Sequence, residues 1–203
     1  MSGIAIYVEG GGDTADGRAA IRRGFGEFLH AIREAAWRKG IKWKVVPSGG
    51  RGDTYDAFLN ALGADPGYVP LLLVDSEVLV TAADPAQHLS VHSGWTFPGT
   101  SATAAFLMAQ VMETWIVADP QALAIFYGQH FRPTNLPRNV NLEAVPKNDV
   151  QRALRAATAQ TQKGVYHKIA HAEALLKAID VAQVRSRCPN CDRFVSALEA
   201  LVR

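Results

Sequence analysis

Cysteine is nearly absent. The 203-residue chain has only Cys188 and Cys191, in one Cys-Pro-Asn-Cys. That excludes a disulfide scaffold, and the pair supplies half of the about four ligands a closed zinc site needs. A redox role would want the motif after a strand and at a helix start, whereas it stands near the end of a helical region. No mechanism is built on it. Long apolar runs are missing too. The stretches at 71–74 and around 106–117 fall short of the ~18 residues of a membrane-spanning helix, so no membrane partner is expected. Residues 1–9 carry no basic n-region, which predicts no signal peptide and a cytoplasmic location. A net charge of +2 neither demands nor excludes a polyanionic partner. Gly-x-Gly-x-x-Gly, a Walker Gly-Lys-Ser/Thr and Gly-x-Ser-x-Gly do not occur. His167 and His171 are spaced i, i+4, but Lys168 stands where His-Glu-x-x-His needs Glu.

What is present is enough for a core. Hydrophobic residues make up 48% and charged residues 20%, which excludes wholesale disorder, and the length suits one domain. Residues 4–8 form a short apolar run ending at Glu9 and the turn Gly10-Gly11-Gly12, which predicts a buried strand. Ile21, Phe25, Phe28, Leu29, Ile32 and Ala36 recur at helical spacing, predicting one amphipathic helix over 16–39. A second strand at 42–46 ends in Ser48-Gly49-Gly50-Arg51-Gly52, with Asp53 as the expected N-cap of the next helix. A third strand at 69–74 is continuously apolar and ends at Asp75-Ser76-Glu77. Strand–helix–strand–helix–strand with apolar strands predicts an α/β fold with a doubly wound parallel sheet. Ligands of such sheets lie beyond the carboxyl ends of the strands.

Beyond residue 84 the pattern predicts a loop over 88–101, a helix over 101–117, a Pro/Asn-rich connection at 132–146, and helices at 148–158, 165–178 and 192–202. Residues 147–187 hold eight Lys/Arg against three Asp/Glu. An α/β core over 1–130, with a basic helical extension over 131–203 packed on it, is the expected organisation.

Three carboxylates fall at or just past strand ends: Glu9 after the first, Asp75 and Glu77 after the third. Strand alternation would turn Asp75 and Glu77 to one side. Clustered carboxylates repel unless a cation lies among them, and hard oxygen donors suit Mg²⁺ or Mn²⁺, which could activate water and offset charge on a phosphodiester. Acids at strand ends alternatively cap helices or face water. Gln110 and Glu113, three apart, would share a face of a largely apolar helix, making Glu113 either a fourth acidic site residue or a partner of Arg51 or Lys147. Asp119 before Pro120 reads as an N-cap of the following helix in preference to a metal ligand. Arg51 sits on the active face, where a guanidinium could fork onto phosphate or pair with Asp53. Lys147, Lys163, His167 and Lys168 either track a nucleic-acid backbone or form a solvated face.

Tyr7-Val8-Glu9-Gly10, followed by Leu73-Val74-Asp75-Ser76-Glu77, resembles the Toprim domain of primases, topoisomerases and OLD-family nucleases. In that family one Glu after the first strand and an Asp-x-Asp after the third bind a divalent metal; here Glu77 replaces the second Asp. A narrower resemblance adds Pro47-Ser48-Gly49-Gly50-Arg51-Gly52, Met108-x-Gln110-x-Met112-Glu113-x-Trp115-x-x-x-Asp119 and Pro146-Lys147. These look like a bacterial family of unknown function allied to RloB/AbiLii-like proteins, often encoded beside an AAA/ABC-type ATPase in defence or mobile loci. The resemblance implies a Toprim/Rossmann-like fold and a Mg²⁺- or Mn²⁺-dependent nuclease or phosphodiesterase with an ATPase partner and a nucleic-acid substrate. A non-catalytic subunit of such an ATPase is the alternative. A homo-oligomer is left open.

Overall fold

The computed structural model describes residues 3–64 and 66–203. Four strands, β1 (Gly3–Val8), β2 (Lys42–Pro47), β3 (Tyr68–Asp75) and β4 (Ala105–Met108), form one all-parallel sheet in the order β2-β1-β3-β4. The α/β Rossmann-like expectation is thus met. The chain steps from β1 outward to β2, then returns past β1 to β3, so strand order reverses between β1 and β3. That reversal opens the crevice in which open α/β sheets bind ligands.

Alternation along β3 divides the core. Leu71 and Leu73 join Ile4, Ile6, Val8, Phe106 and Met108 in the larger layer, while Leu72 and Val74 face the other way with Leu107. Helix α3 (Arg51–Ala64) and helix α4 (Pro85–Ser93) cover the second face through Tyr55, Phe58, Ala86 and Leu89. On the first face lie α1 (Ala15–Phe28), α2 (His30–Arg38), α5 (Met112–Val117), α6 (Pro120–Tyr127), α7 (Lys147–Thr158), α8 (Lys168–Ala178), α9 (Val181–Arg187) and α10 (Pro189–Leu201). Trp115 of α5 is fully buried at their meeting point, its ring 5.6 Å from Phe28 and 6.3 Å from both Phe25 and Phe194. Apolar side chains of α7, α8 and α10 belong to the same buried cluster as β1 and β3.

Several expectations are corrected. The helix over 16–39 is two helices, because the chain bends at Leu29 (φ −97°, ψ 17°). The helix over 101–117 is instead a short 3₁₀ turn, the strand β4 and the separate helix α5: this apolar run is buried on all sides, so its residues carry neither period. The loop over 88–101 begins inside α4, whose Asp84 cap accepts from the Ala86 N–H at 3.1 Å with Pro85 next to it. Asp53 is not an N-cap; α3 starts earlier, and Thr54 bonds back to the Gly50 carbonyl. The C-terminal part has four helices, α9 being the addition. Asp119 does cap α6, accepting from Ala122 N–H at 3.0 Å. No helix among the described residues is long and apolar enough to cross a membrane. Both cysteine thiols are free and buried, and burial pushes them up from their ordinary range, which disfavours the thiolate that metal or redox chemistry needs.

Candidate metal centre

Residues that terminate neighbouring strands are brought together by the sheet itself. Glu9 follows β1 and Asp75 ends β3, on either side of the strand-order reversal. Asp75 has the parity of Leu71 and Leu73, so it points into the large layer, where its Oδ1 accepts from the Met112 N–H opening α5 at 2.9 Å. The Glu9 carboxylate reaches across to accept from the Asp75 N–H at 3.0 Å. Glu77 arrives by a different route from the one alternation suggests. The strand ends at Asp75, and Glu77 takes φ 66°, a left-handed conformation uncommon outside glycine. Its N–H is held by the Gln110 carbonyl at 2.9 Å, and the preceding Ser76 N–H by the Met108 carbonyl at 3.2 Å. One carboxylate oxygen from each of Glu9, Asp75 and Glu77 lies within 4.8 Å of the others, making this the one such group among the described residues.

The electrostatics are those of crowded acids out of water. Burial first, and Glu77 in addition, push the Glu9 carboxyl up to about 7 against the opposing Asp75 N–H and Arg51 charge. Asp75 is driven well above the carboxylate range by burial and then by Glu9. Each acid has a basic neighbour from a different element. Arg51, the first residue of α3, places Nε 3.8 Å from Glu9; Lys168, first in α8, places Nζ 3.8 Å from Asp75; Lys147, first in α7, bonds Glu77 directly. At 3.8 Å the Arg51 and Lys168 contacts are ion pairs without a hydrogen bond. Burial opposes the Lys168 charge, but the carboxylates of Asp75, Glu113, Glu9 and Glu77 outweigh it and raise its pKa. Arg51 is steered by Ser93 Oγ, 2.9 Å from its Nη2, and by the Trp95 ring, 5.1 Å below its guanidinium. It does not pair with Asp53.

Glu113 stands in the first turn of α5, not on a shared helix face with Gln110, which precedes that helix. Its partner is neither Arg51 nor Lys147: Oε1 accepts from the Tyr166 hydroxyl at 3.2 Å, while the buried Oε2 has no hydrogen-bond partner. Glu113 lies outside the three-acid group, yet its charge acts on both Asp75 and Lys168. The glycine turns brace the site from below. Gly10 and Gly49 exchange backbone hydrogen bonds at 2.8 and 3.2 Å, tying the end of β1 to the end of β2. Gly11 (φ 87°) packs so closely on α1 that a Cβ on Gly17 would sit 2.1 Å from its carbonyl oxygen. Gly12 (φ 57°) completes the turn. Lys163 and His167 do not join the cluster: Lys163 covers the Phe126 ring, and the His167 N–H contacts His171.

Three contributors went unread in the sequence. Tyr166 lies far from Glu113 along the chain, and nothing local marks it. Trp95 and His88 belong to the 88–101 segment whose composition reads as a loop, although Asp84-Pro85 is a helix-start signal. His88 is buried and contacts the Ser76 carbonyl through Nε2 at 3.1 Å, which fixes the turn that aims Glu77.

Residues 8–199 match the family described as Domain of unknown function (DUF4276). The chain belongs to that family. Comparison with curated proteins and with solved structures finds no match. The DUF4276 profile spans the Glu9 turn, Asp75, Glu77, Glu113 and the basic residues alike.

Proposed function

We propose that this DUF4276 protein is a divalent-metal-dependent phosphodiesterase or nuclease of Toprim type, with Glu9, Asp75 and Glu77 as metal ligands. The observation that carries the reading is the convergence of three carboxylates at the crevice between β1 and β3, with oxygens within 4.8 Å. Such a donor set fits a hard cation. It is all oxygen and partly dehydrated, and burial pushes the Glu9 and Asp75 carboxyls up when no cation relieves them. Mg²⁺ or Mn²⁺ there would supply charge neutralisation and an activated water. The chain's own residues do the rest. Arg51 and Lys168 present positive charge on either side of the acids, where a phosphodiester's oxygens would lie. Lys147 holds Glu77 in place, and Gln110 Oε1 accepts from the Lys147 N–H at 3.2 Å. Glu113 supports the centre from behind, its unpartnered Oε2 available to a water or to Lys168.

A second reading, a non-catalytic subunit that docks on an AAA/ABC-type ATPase in a bacterial defence system, draws on one feature: every one of the three acids already has a basic neighbour. Cleavage of labelled single- and double-stranded DNA and RNA with Mg²⁺ or Mn²⁺, with and without that ATPase, separates the two. Metal-dependent products lost in Asp75→Asn support the enzyme. Metal binding without products in any combination supports the docking subunit.

A further inference from the structure

Next to the acids lies a cleft of about 390 Å³, large enough for a small ligand. Helices α1 and α8 pack tightly where Gly24 meets Leu176, whose side chain would lie 3.0 Å from a Cβ on that glycine. Toward their N-terminal ends they part, and the cleft fills the gap. Its floor is backbone from the two glycine turns, Gly10–Gly12 and Gly49–Gly50. Ala20 and Ile21 of α1 line one wall, Ile169 and Ala172 of α8 the other. Glu9 and Lys168 line the cleft as well, so it opens directly onto the carboxylate cluster.

Two features are unexplained by folding. Ile169 is 78% exposed, a large apolar side chain at the rim with nothing covering it. At the start of α8 the N-cap residue His167 makes no capping bond with its own side chain, its N–H contacts His171, and Lys168 stands next to it. A helix start whose N-cap side chain makes no capping bond, beside a lysine, is suited to an anion, and the glycine, alanine and isoleucine part of a lining that also includes Asp13 and Glu173 is suited to a flat apolar ring. We infer that the cleft holds one nucleoside monophosphate unit, free or within a strand, its phosphate at Lys168 and the acids and its base between α1 and α8. Asp13 at the rim offers a carboxylate to sugar hydroxyls or base N–H groups. Duplex DNA cannot enter a slot of this size without releasing a base, so the substrate class is an unpaired nucleotide. The inference deepens the phosphodiesterase reading and rests on it for the position of the phosphate.

The test uses the full chain with Mn²⁺, inorganic phosphate and adenosine monophosphate as probes. Mn²⁺ binding is read by electron paramagnetic resonance, and anion binding by calorimetry. The parent is expected to bind adenosine monophosphate about tenfold more tightly than phosphate. Ile169→Ser, at an exposed position, and Ala20→Leu, which fills the cleft from α1, should each abolish that preference while leaving Mn²⁺ and phosphate affinity unchanged. Equal affinity for the two anions in a parent that binds Mn²⁺ overturns the cleft assignment alone, as does a preference that survives both variants. A preference without Mn²⁺ binding overturns the metal reading alone. Displacement of the nucleotide by a single-stranded oligonucleotide identifies a strand as its source, and failure to displace it identifies the free nucleotide.

Discussion

Replacing Glu9 by Gln should make the metal-free protein more stable at alkaline pH. The Glu9 side chain is 15% exposed, and its carboxyl is pushed up to about 7 from 4.5, chiefly by burial. An acid whose folded pKa lies above its unfolded one binds more protons in the folded state, so stability falls as pH rises from the unfolded toward the folded value. The window is therefore about pH 4.5 to 7, and above it the charged form costs about 3 kcal/mol. Gln keeps the shape and an oxygen for the Asp75 N–H, and sacrifices the loose contact with Arg51 at 3.8 Å and the attraction of Lys168. Thermal unfolding in EDTA should show parent and variant alike near pH 4. At pH 8 the variant should melt higher by several degrees, since ~1 kcal/mol shifts the midpoint by about 2–4 °C in a chain of this size. A structural carboxylate predicts the reverse, a loss of ~3–5 kcal/mol from the unpaired Arg51 left behind. Destabilisation of that size in EDTA at pH 8 would refute the reasoning.

Lys168→Met should loosen the metal-free protein, since four carboxylates act on that ammonium, yet tighten Mn²⁺ binding by removing a competing cation; calorimetry and thermal melts read the two effects. Gly17→Ala should cost ~2 kcal/mol or more in denaturant unfolding, because its Cβ would overlap the Gly11 carbonyl, and should lower activity by displacing the turn beside Glu9. Charge reversal at the exposed Arg152 and Arg155 of α7 should weaken nucleic-acid binding and flatten its salt dependence in fluorescence anisotropy titrations, without changing Mn²⁺ affinity. Unchanged affinity at low salt would assign those arginines to solvent.

Strands β1, β2 and β3 were legible because their apolar runs are short and bounded by glycine, proline or acid. The parallel sheet followed from the spacing between them. β4 was not legible: Phe106, Leu107 and Met108 lead within a few residues into Met112 and Trp115, and burial on every side erases the periodicity that separates strand from helix. The three acids that converge stand out in the sequence by their place at strand ends. How they are held was hidden, because Glu77 depends on a left-handed turn fastened by Gln110 and His88 rather than on strand alternation. Arg51 is expected at the strand ends and lies 3.8 Å from Glu9, whereas its supports, Ser93 at the end of α4 and Trp95 just beyond it, fall in the segment that reads as a loop. The approach of Lys168 to Asp75 and of Tyr166 to Glu113 is a product of tertiary packing, for which no local pattern exists.

The central claim is that Glu9, Asp75 and Glu77 share one divalent cation, and Mn²⁺ titration followed by electron paramagnetic resonance tests it most directly. The account predicts one Mn²⁺ per chain in the parent, with affinity rising as pH passes about 7, where Glu9 gives up its proton. Glu9→Gln, Asp75→Asn and Glu77→Gln should each weaken binding by about tenfold or more while remaining folded. A parent that takes up no Mn²⁺ at pH 8, or one whose affinity is untouched by all three changes, would contradict it.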